Sequence, residues 1–249
     1  MYVVDFMKLS EQSSKELGLR LESIFMRVHD AQLSKRYDCV WDCCCDHGYL
    51  GTKMLLHKLH GQFLFVDQVP HITDRLLSRL GELDVDNYQV ITADAGELNF
   101  ISDKNHLVII AGVTGTNVQT IIEDILTNNS AVAIDFMVCA TRGNFEVRSY
   151  LQAKGFYLLD EILVTEKKRH YEIIHVTVLK EAGRELSDVG EMWDLQNPDH
   201  LHYLQGRIRH FERESQGEAR NDDGVHQNAK RALLSYQSLM DGFLGKGSQ

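Results

Sequence analysis

The run Val40-Trp41-Asp42-Cys43-Cys44-Cys45-Asp46-His47-Gly48-Tyr49-Leu50 sets two carboxylates and a glycine where a short apolar stretch gives way to a helix-compatible one. An acid at a strand end, followed by a tight turn into a helix, suits a ligand that carries a cationic amine or ribose hydroxyls. Three further features repeat the placement. Asp67 closes Phe63-Leu64-Phe65-Val66, twenty-five residues after Asp42, and its carboxylate can accept two bonds from ribose hydroxyls. Asp94, in Thr92-Ala93-Asp94-Ala95, can accept an adenine exocyclic amine. Ala111-Gly112-Val113-Thr114-Gly115 follows another apolar run with side chains small enough to let a ligand reach the backbone. Any one carboxylate here is more often a turn or cap residue. Four such features at successive strand ends, the edge where open α/β sheets bind ligands, make coincidence a poor account.

S-adenosylmethionine carries the amine, the ribose and the adenine that these positions address. The expected cofactor-side residues are Asp42, Cys44, Asp46, His47, Gly48, Asp67, Asp94, Ala95, Ala111 and Gly112. The methyltransferase form of the first loop is acid-x-Gly-x-Gly-x-Gly. Only Asp42 and Gly48 match it, with Cys44 and Asp46 on the first two glycine positions. Read alone, the loop is equally compatible with Asp42 and Asp46 merely capping the following helix. A dinucleotide reading fares worse, because two acids in the turn would repel a pyrophosphate. The adjacent Cys43, Cys44 and Cys45 alternate faces and the next cysteine after them is Cys139, so no metal site is expected. A lone neighbouring His47 does not make Cys44 or Cys45 a nucleophile.

These positions need a parallel sheet to hold them. Apolar runs at Tyr37–Trp41, Gln62–Val66, Tyr88–Ile91, Leu107–Ile110 and Phe136–Cys139 read as strands. Helix-compatible segments at Gly51–Leu59, Ile72–Leu80, Val118–Leu126 and Phe145–Ala153 alternate with them. Tyr157–Thr165 and Tyr171–Leu179, joined by Glu166–His170, read as an antiparallel pair closing the sheet. Ahead of the sheet, Leu17, Leu21, Ile24, Phe25 and Val28 share a helix face, with Ser13 and Glu16 as a capping box and a helix expected over about 13–30. Behind it, Asn197-Pro198-Asp199 starts a helix bearing Leu201, Leu204, Ile208 and Phe211. After the polar stretch Gln216–Gly224 a second helix carries Ala229, Leu233, Tyr236, Met240 and Phe243. This pair reads as a helical hairpin too thin for its own core and splayed from the main domain.

Composition sets the outer limits. With 249 residues, 43% hydrophobic and 25% charged, the chain is of ordinary globular type and long enough for one large α/β domain plus an appendage. No apolar run approaches the ~18 residues that span a bilayer. The first residues lack a charged and apolar export pattern, so no membrane and a cytoplasmic location are expected. Net charge of −10 disfavours indiscriminate nucleic-acid binding, leaving local basic clusters to do that work. Such clusters are Lys167-Lys168-Arg169-His170, Arg207 with Arg209, His210 and Arg213, and Lys35 with Arg36. Each is also readable as an ordinary solvated face.

Asp42–Leu50, the Asp67 strand end, Thr92–Ala95, Val108–Gly115, Lys168-Arg169-His170-Tyr171-Glu172-Ile173-Ile174 and a proline-capped helical hairpin occur in that order. In combination they resemble the bacterial tRNA adenine-22 N1-methyltransferase family, from about Leu17 to about Met240. The resemblance implies an α/β, Rossmann-like class I methyltransferase fold: a mostly parallel seven-stranded sheet with an antiparallel C-terminal hairpin strand, and a C-terminal coiled-coil hairpin. It implies a methyltransferase domain over 1–180, a helical hairpin over 181–249, S-adenosyl-L-methionine as cofactor and tRNA as partner. On the acceptor side it points to Val113, Thr114, Gly115, Lys168, Arg169, Tyr171, Arg207 and Arg209, with Asp46 as first choice for a catalytic charge near the methyl group. Where the family has Asp-Ile-Gly-Ser-Asp-His, this chain has Asp42-Cys43-Cys44-Cys45-Asp46-His47. Its Ala-Gly-Met-Gly-Gly is here Ala111-Gly112-Val113-Thr114-Gly115, and its Leu-Gln-Pro-Asn is Val138-Cys139-Ala140-Thr141, with Asn144 displaced. These departures keep two other readings open: a methyltransferase with a different acceptor, and a non-catalytic binding module on the same fold. Monomer and weak homodimer are both open.

Overall fold

The structure, a computed structural model, describes residues 17–35, 37–216 and 223–246. The expected capping residues Ser13 and Glu16, and Arg36 of one basic cluster, lie outside these described residues. Strands β1 (Cys39–Cys43), β2 (Gln62–Asp67), β3 (Tyr88–Thr92), β4 (His106–Ala111), β5 (Ile134–Cys139), β6 (Tyr157–Glu166), β7 (Arg169–Thr177) and β8 (Arg184–Glu185) form one sheet in the order β3-β2-β1-β4-β5-β7-β6-β8. The first five run parallel. β7 enters antiparallel between β5 and β6, and β8 pairs antiparallel with β6. The seven expected strands are all present. The eighth has only two residues, too few to show any periodicity in sequence.

Helices α1 (Leu19–Ser34), α2 (Tyr49–Leu56), α3 (Pro70–Gly81), α4 (Gly115–Asn128) and α5 (Asn144–Ala153) flank the sheet. Alternation along the strands divides the core by face. Trp41, Cys43, Leu64, Val66, Val108, Ile110, Phe136 and Val138 pack with Ile121, Ile122 and Ile125 of α4 and Val147 and Leu151 of α5. Val40, Phe63, Phe65, Leu107, Ile109 and Met137 pack with Ile24, Phe25 and Val28 of α1, Met54 of α2 and Leu76 and Leu80 of α3. Burial on both faces is what a crossover-connected parallel sheet requires, and it explains why these strands read as continuous apolar runs.

β1 begins two residues later than its apolar run. The Tyr37 hydroxyl donates to Asp135 Oδ2 at 2.6 Å, while Lys35 Nζ lies 2.5 Å from the same oxygen. The β6–β7 connection is also shorter than expected. Lys167 and Lys168 both take positive φ (48° and 66°), the signature of a two-residue turn whose twist matches the strands it joins.

Helices α6 (Pro198–Gln216) and α7 (Asp223–Lys246) form the expected hairpin, but they are not splayed from the sheet domain. Tyr203, Leu204, Phe211, Ala229, Ala232 and Tyr236 share a buried cluster with Phe145 of α5, Leu163 of β6, and Val189 and Trp193 of the preceding segment. Phe145 stacks edge-on against Phe211 at 5.6 Å between centroids. Beneath it the Tyr203 hydroxyl donates to Glu172 Oε1 at 2.8 Å and accepts from Asn144 Nδ2 at 3.2 Å. Glu172 is in turn held by Arg148 Nε at 2.7 Å, and Arg148 Nη2 reaches Glu161 at 2.5 Å. Two carboxylates around one buried guanidinium bind α5, β6 and β7 into a unit on which the hairpin sits. Among the described residues, no helix is long and apolar enough to cross a membrane.

Candidate functional site

The turn leaving β1 decides the shape of the site. Cys44, Asp46 and Gly48 have φ of 57°, 49° and 62°, so every second residue after Asp42 is left-handed. These are the three positions that hold glycine in the methyltransferase loop. The backbone path is therefore the glycine path, adopted twice without glycine. At Gly48 a side chain would also meet the core, because a Cβ would lie 2.7 Å from Leu76 Cδ2 and Leu76 would have to shift. The turn is pinned to β2: Cys45 N–H donates to Val66 O at 3.1 Å and Asp46 N–H to Asp67 Oδ2 at 3.1 Å.

A cavity of about 210 Å³ opens beside this turn, lined by Asp42, Cys44, Cys45, Asp46, His47 and Tyr49, by Ala111, Gly112 and Val113 of the β4 loop, and by Arg20, Leu21 and Leu50. Asp42 is its buried carboxyl group. Its Oδ2 accepts from Gly51 N–H at 3.3 Å. Burial pushes its pKa up to about 7, opposed by that hydrogen bond, raised further by Asp67 and opposed by Arg20. The cysteine thiols stay protonated: burial raises Cys44 to about 11, with Asp67, Asp42 and Asp94 adding to it, and raises Cys45 as well. Both side chains line the cavity as neutral groups. None of the five cysteines is paired, and among the described residues no group of three His, Cys, Asp or Glu side chains could hold a metal ion.

Of the residues singled out in the sequence, the structure gathers Asp42, Cys44, Asp46, His47, Ala111, Gly112 and Val113 around this one cavity. The others fall elsewhere. Both Asp67 oxygens accept backbone N–H groups, from Asp46 and, at 3.0 Å, from Val69, so this carboxylate braces the turn from outside the cavity. Asp94 is exposed and caps the short 3-10 turn Ala95–Glu97 through Gly96 N–H at 2.9 Å. Ala95 is buried in the main core. Thr114 caps α4, its hydroxyl accepting from Asn117 N–H at 3.4 Å. Gly115 is needed for packing, since a Cβ there would lie 2.7 Å from Gly143 O and 2.9 Å from Arg142 O.

The outer basic groups divide in the same way. Lys168 and Arg169 are exposed at the β6–β7 tip, while Tyr171 lies under the Arg20 guanidinium, 5.4 Å from it. Arg207 covers the rings of Tyr203 and Phe211, at 5.6 and 5.9 Å, and Arg209 is exposed. His210 is within 3.2 Å of Glu214, and Lys35 is committed to Asp135.

Arg20 is the charged cavity residue that the sequence reading missed, along with the uncharged Leu21, Cys45 and Leu50. A signal for Arg20 existed: it precedes Ile24 by one helical turn, placing a cation on the buried stripe of α1.

Comparison with known proteins agrees with this architecture. A family model described as a methyltransferase domain matches residues 17–174. No curated protein matches the chain. Among solved structures, the B. subtilis m1A22 tRNA methyltransferase TrmK is similar at TM-score 0.68 and 16% identity, over 90% of this chain and 99% of that one. M. capricolum TrmK with S-adenosyl-homocysteine is similar at TM-score 0.65 and 16% identity, over 90% and 98% of the two chains. Streptococcus pneumoniae Sp1610 with S-adenosyl-L-methionine gives TM-score 0.64 and 19% identity, over 88% and 97%. At such identities the likeness is one of fold, and it takes in about nine-tenths of this chain. The strand order, the left-handed turn after β1 and the family match over more than half the sequence converge, and the chain belongs to the methyltransferase-domain family.

Proposed function

We propose that this chain transfers a methyl group from S-adenosylmethionine to N1 of an adenine in tRNA, probed first at position 22. One observation carries the reading: the Asp42–Gly48 turn keeps the left-handed backbone of a cofactor loop at all three glycine positions while closing a cavity over a buried carboxylate. The residues present fit the amino-acid end of that cofactor, with Asp42 facing its ammonium and Ala111 and Gly112 leaving the backbone open beside it. Asp67 and Asp94 stand at and just beyond the ends of β2 and β3, and each carboxylate has acceptor capacity for ribose or adenine beside the backbone N–H groups it already holds. The likeness to tRNA methyltransferase structures over 90% of this chain supports the acceptor class.

S-adenosylmethionine brings an activated methyl on a sulfonium, so the protein need supply mainly alignment and a suitable field. Adenine N1 has a lone pair and needs no base before attack, but the methylated base is cationic. Asp46, exposed at the cavity mouth, is placed to stabilise that charge. The acceptor loop is rigid. Thr141 N–H donates to Val113 O at 2.8 Å and Gly115 N–H to Arg142 O at 2.9 Å, locking the loops after β4 and β5 together. The target base must leave its stack to reach them. Lys167, Lys168 and Arg169 are exposed where the β6–β7 pair runs past the end of β5, and Arg209 is exposed on α6; these offer phosphate contacts on an otherwise acidic protein.

The test is transfer of labelled methyl groups to tRNA lacking modification, with the product nucleoside mapped. Label appearing in 1-methyladenosine at position 22 supports the reading. Cofactor binding with label in some other acceptor would replace the tRNA assignment, and failure to bind S-adenosylmethionine or its demethylated product at millimolar concentration would end it.

A further inference from the structure

Tyr203 of α6 carries a hydroxyl where its packing asks only for a ring. The ring is buried, stacked on Trp193 at 5.8 Å and on His170 at 5.0 Å between centroids, a space that phenylalanine would fill. The hydroxyl faces Glu172 Oε1 at 2.8 Å and Asn144 Nδ2 at 3.2 Å. Its one proton is committed. Glu172, ion-paired with Arg148 at 2.7 Å, is a carboxylate and only accepts, so the hydroxyl donates to it and offers a lone pair to the Asn144 amide. That sets which way Asn144 points. Its Oδ1 is turned away, buried and without a hydrogen-bond partner among the described residues. Burying an amide with one end unpaired is costly, so the bond that its other end makes is the reason for a polar residue here.

Asn144 opens α5 and directly follows the loop that meets the acceptor side. In that loop Thr141 N–H donates to Val113 O at 2.8 Å, and Arg142 O accepts from Gly115 N–H at 2.9 Å. Gly143, left-handed at φ 79°, lies against Gly115, with a Cβ placed on it only 3.5 Å from Gly115 Cα. The path from the hairpin to the β4 loop therefore runs through one side chain and one short loop. We infer that Tyr203 is a positioning residue for methyl transfer. Through its hydroxyl and Asn144 the C-terminal hairpin sets where the Thr141–Gly143 loop holds Val113–Gly115 against the target base, an inference resting on the tRNA methyltransferase reading above. Arg209, exposed on the same helix, would then hold RNA on the element that also aligns the acceptor loop.

The test uses Tyr203→Phe in the full chain, with Asn144→Leu as a second variant that keeps the volume and removes the amide. Hydrogen exchange followed by NMR should show the Thr141 and Gly115 amides exchanging about 10-fold faster, with Cys45 and Gly48 of the β1 turn unchanged within about twofold. In methyl transfer, kcat should fall about 10- to 100-fold while KM for tRNA and affinity for S-adenosylhomocysteine stay within about twofold, since misalignment acts on the chemical step. The double variant should be no slower than Asn144→Leu alone, because the hydroxyl acts through that amide. Ser235→Ala removes a different tie of the hairpin, its 3.2 Å bond to Asp188, and should move neither readout. Exchange that quickens equally at all four amides, or at none, overturns the inference. So do an unchanged kcat in Tyr203→Phe and losses that add in the double variant. A native protein that transfers no methyl group to tRNA overturns the reading above, and the exchange measurements then decide by themselves whether the hairpin holds the loop.

Discussion

The state of Asp42 gives the site a pH dependence that can be worked out in advance. Its carboxyl is displaced from 3.8 to about 7, mainly by burial, so near neutrality the free protein is a mixture of acid and carboxylate. A ligand ammonium favours the carboxylate, and binding therefore selects the ionised form. The sign follows: affinity reaches its plateau about a unit above pH 7, where the charge already exists, and falls as pH drops. With a pKa near 7, S-adenosylhomocysteine should bind about twofold more weakly at pH 7 than at its plateau, and about tenfold more weakly at pH 6. At pH 7 binding should release about half a proton, seen calorimetrically as a heat that varies with the ionisation enthalpy of the buffer. Asp42→Asn should bind S-adenosylhomocysteine about 10- to 100-fold more weakly at pH 8, with the pH dependence removed. 5′-Methylthioadenosine, lacking the ammonium, should show no such slope on the native protein. The same raised pKa means that Asp42 favours the folded state most at low pH, and this contribution declines between pH 4 and 7, by on the order of 4 kcal/mol at most. An affinity for S-adenosylhomocysteine that stays flat from pH 5.5 to 8, or an Asp42→Asn variant that binds as well as the native protein, would refute the assignment of Asp42 to the ammonium.

Three substitutions test the scaffold around the site. Asp46→Gly relieves a left-handed residue that has φ of 49° and an exposed side chain, so chemical denaturation should show stabilisation of about 0.5 kcal/mol, the left-handed penalty less the entropy of glycine; a loss of more than 1 kcal/mol would mean the side chain holds the turn. Gly115→Ala drives a Cβ to within 2.7 Å of Gly143 O, so it should cost about 1–3 kcal/mol and lower methyl transfer while sparing cofactor affinity; unchanged stability would show that the two acceptor loops are not in fixed contact. Arg148→Ala leaves Glu161 and Glu172 buried without their shared cation, and a loss of about 3–5 kcal/mol is expected on denaturation. A loss below 1 kcal/mol would mean that the junction beneath the hairpin is wet.

The parts of this molecule legible in its sequence are those where one chain segment carries its own signal. Val40, Trp41 and Leu107–Ile110 are buried on both faces, so their segments read as strands without reference to their neighbours, although the first reads as Tyr37–Trp41 and the strand runs Cys39–Cys43. Asp42, Asp46 and Gly112 could be placed because strand ends follow directly from strands, and the fold delivers strand ends to one edge. Elements defined by a distant partner were not legible. β8 exists only through its register with Tyr157 and Leu158. Periodicity showed which faces of the two C-terminal helices are apolar, but not that Phe145 and Leu163 cover them. Arg20 was lost for the same reason, because a cation on a helix stripe has no meaning until the β4 loop and Tyr171 are seen beside it. Conversely, Ala95, Thr114 and Gly115 occupy the right segments and serve the core, the helix cap and the loop contact.

The left-handed turn also bears on the reading of this chain as a non-catalytic module, whose best support was Cys44 in a glycine position. Loss of glycine matters to a cofactor loop for two reasons: the backbone cannot take its path, or the new side chain fills the ligand's space. The first fails here, because Cys44 and Asp46 hold φ of 57° and 49°. Aspartate tolerates that region, and the strain at Cys44 is of the kind that persists where surrounding structure fixes the backbone, as Cys45 N–H to Val66 O and Asp46 N–H to Asp67 do in the two residues that follow. The second is limited by chemistry: a thiol held neutral by burial and by three nearby carboxylates adds one sulfur and no charge to the cavity wall. A turn that had lost its ligand would have no reason to keep a strained path through two residues that are not glycine. Retention of that path, over a buried acid, is what a loop still shaped by its ligand would show.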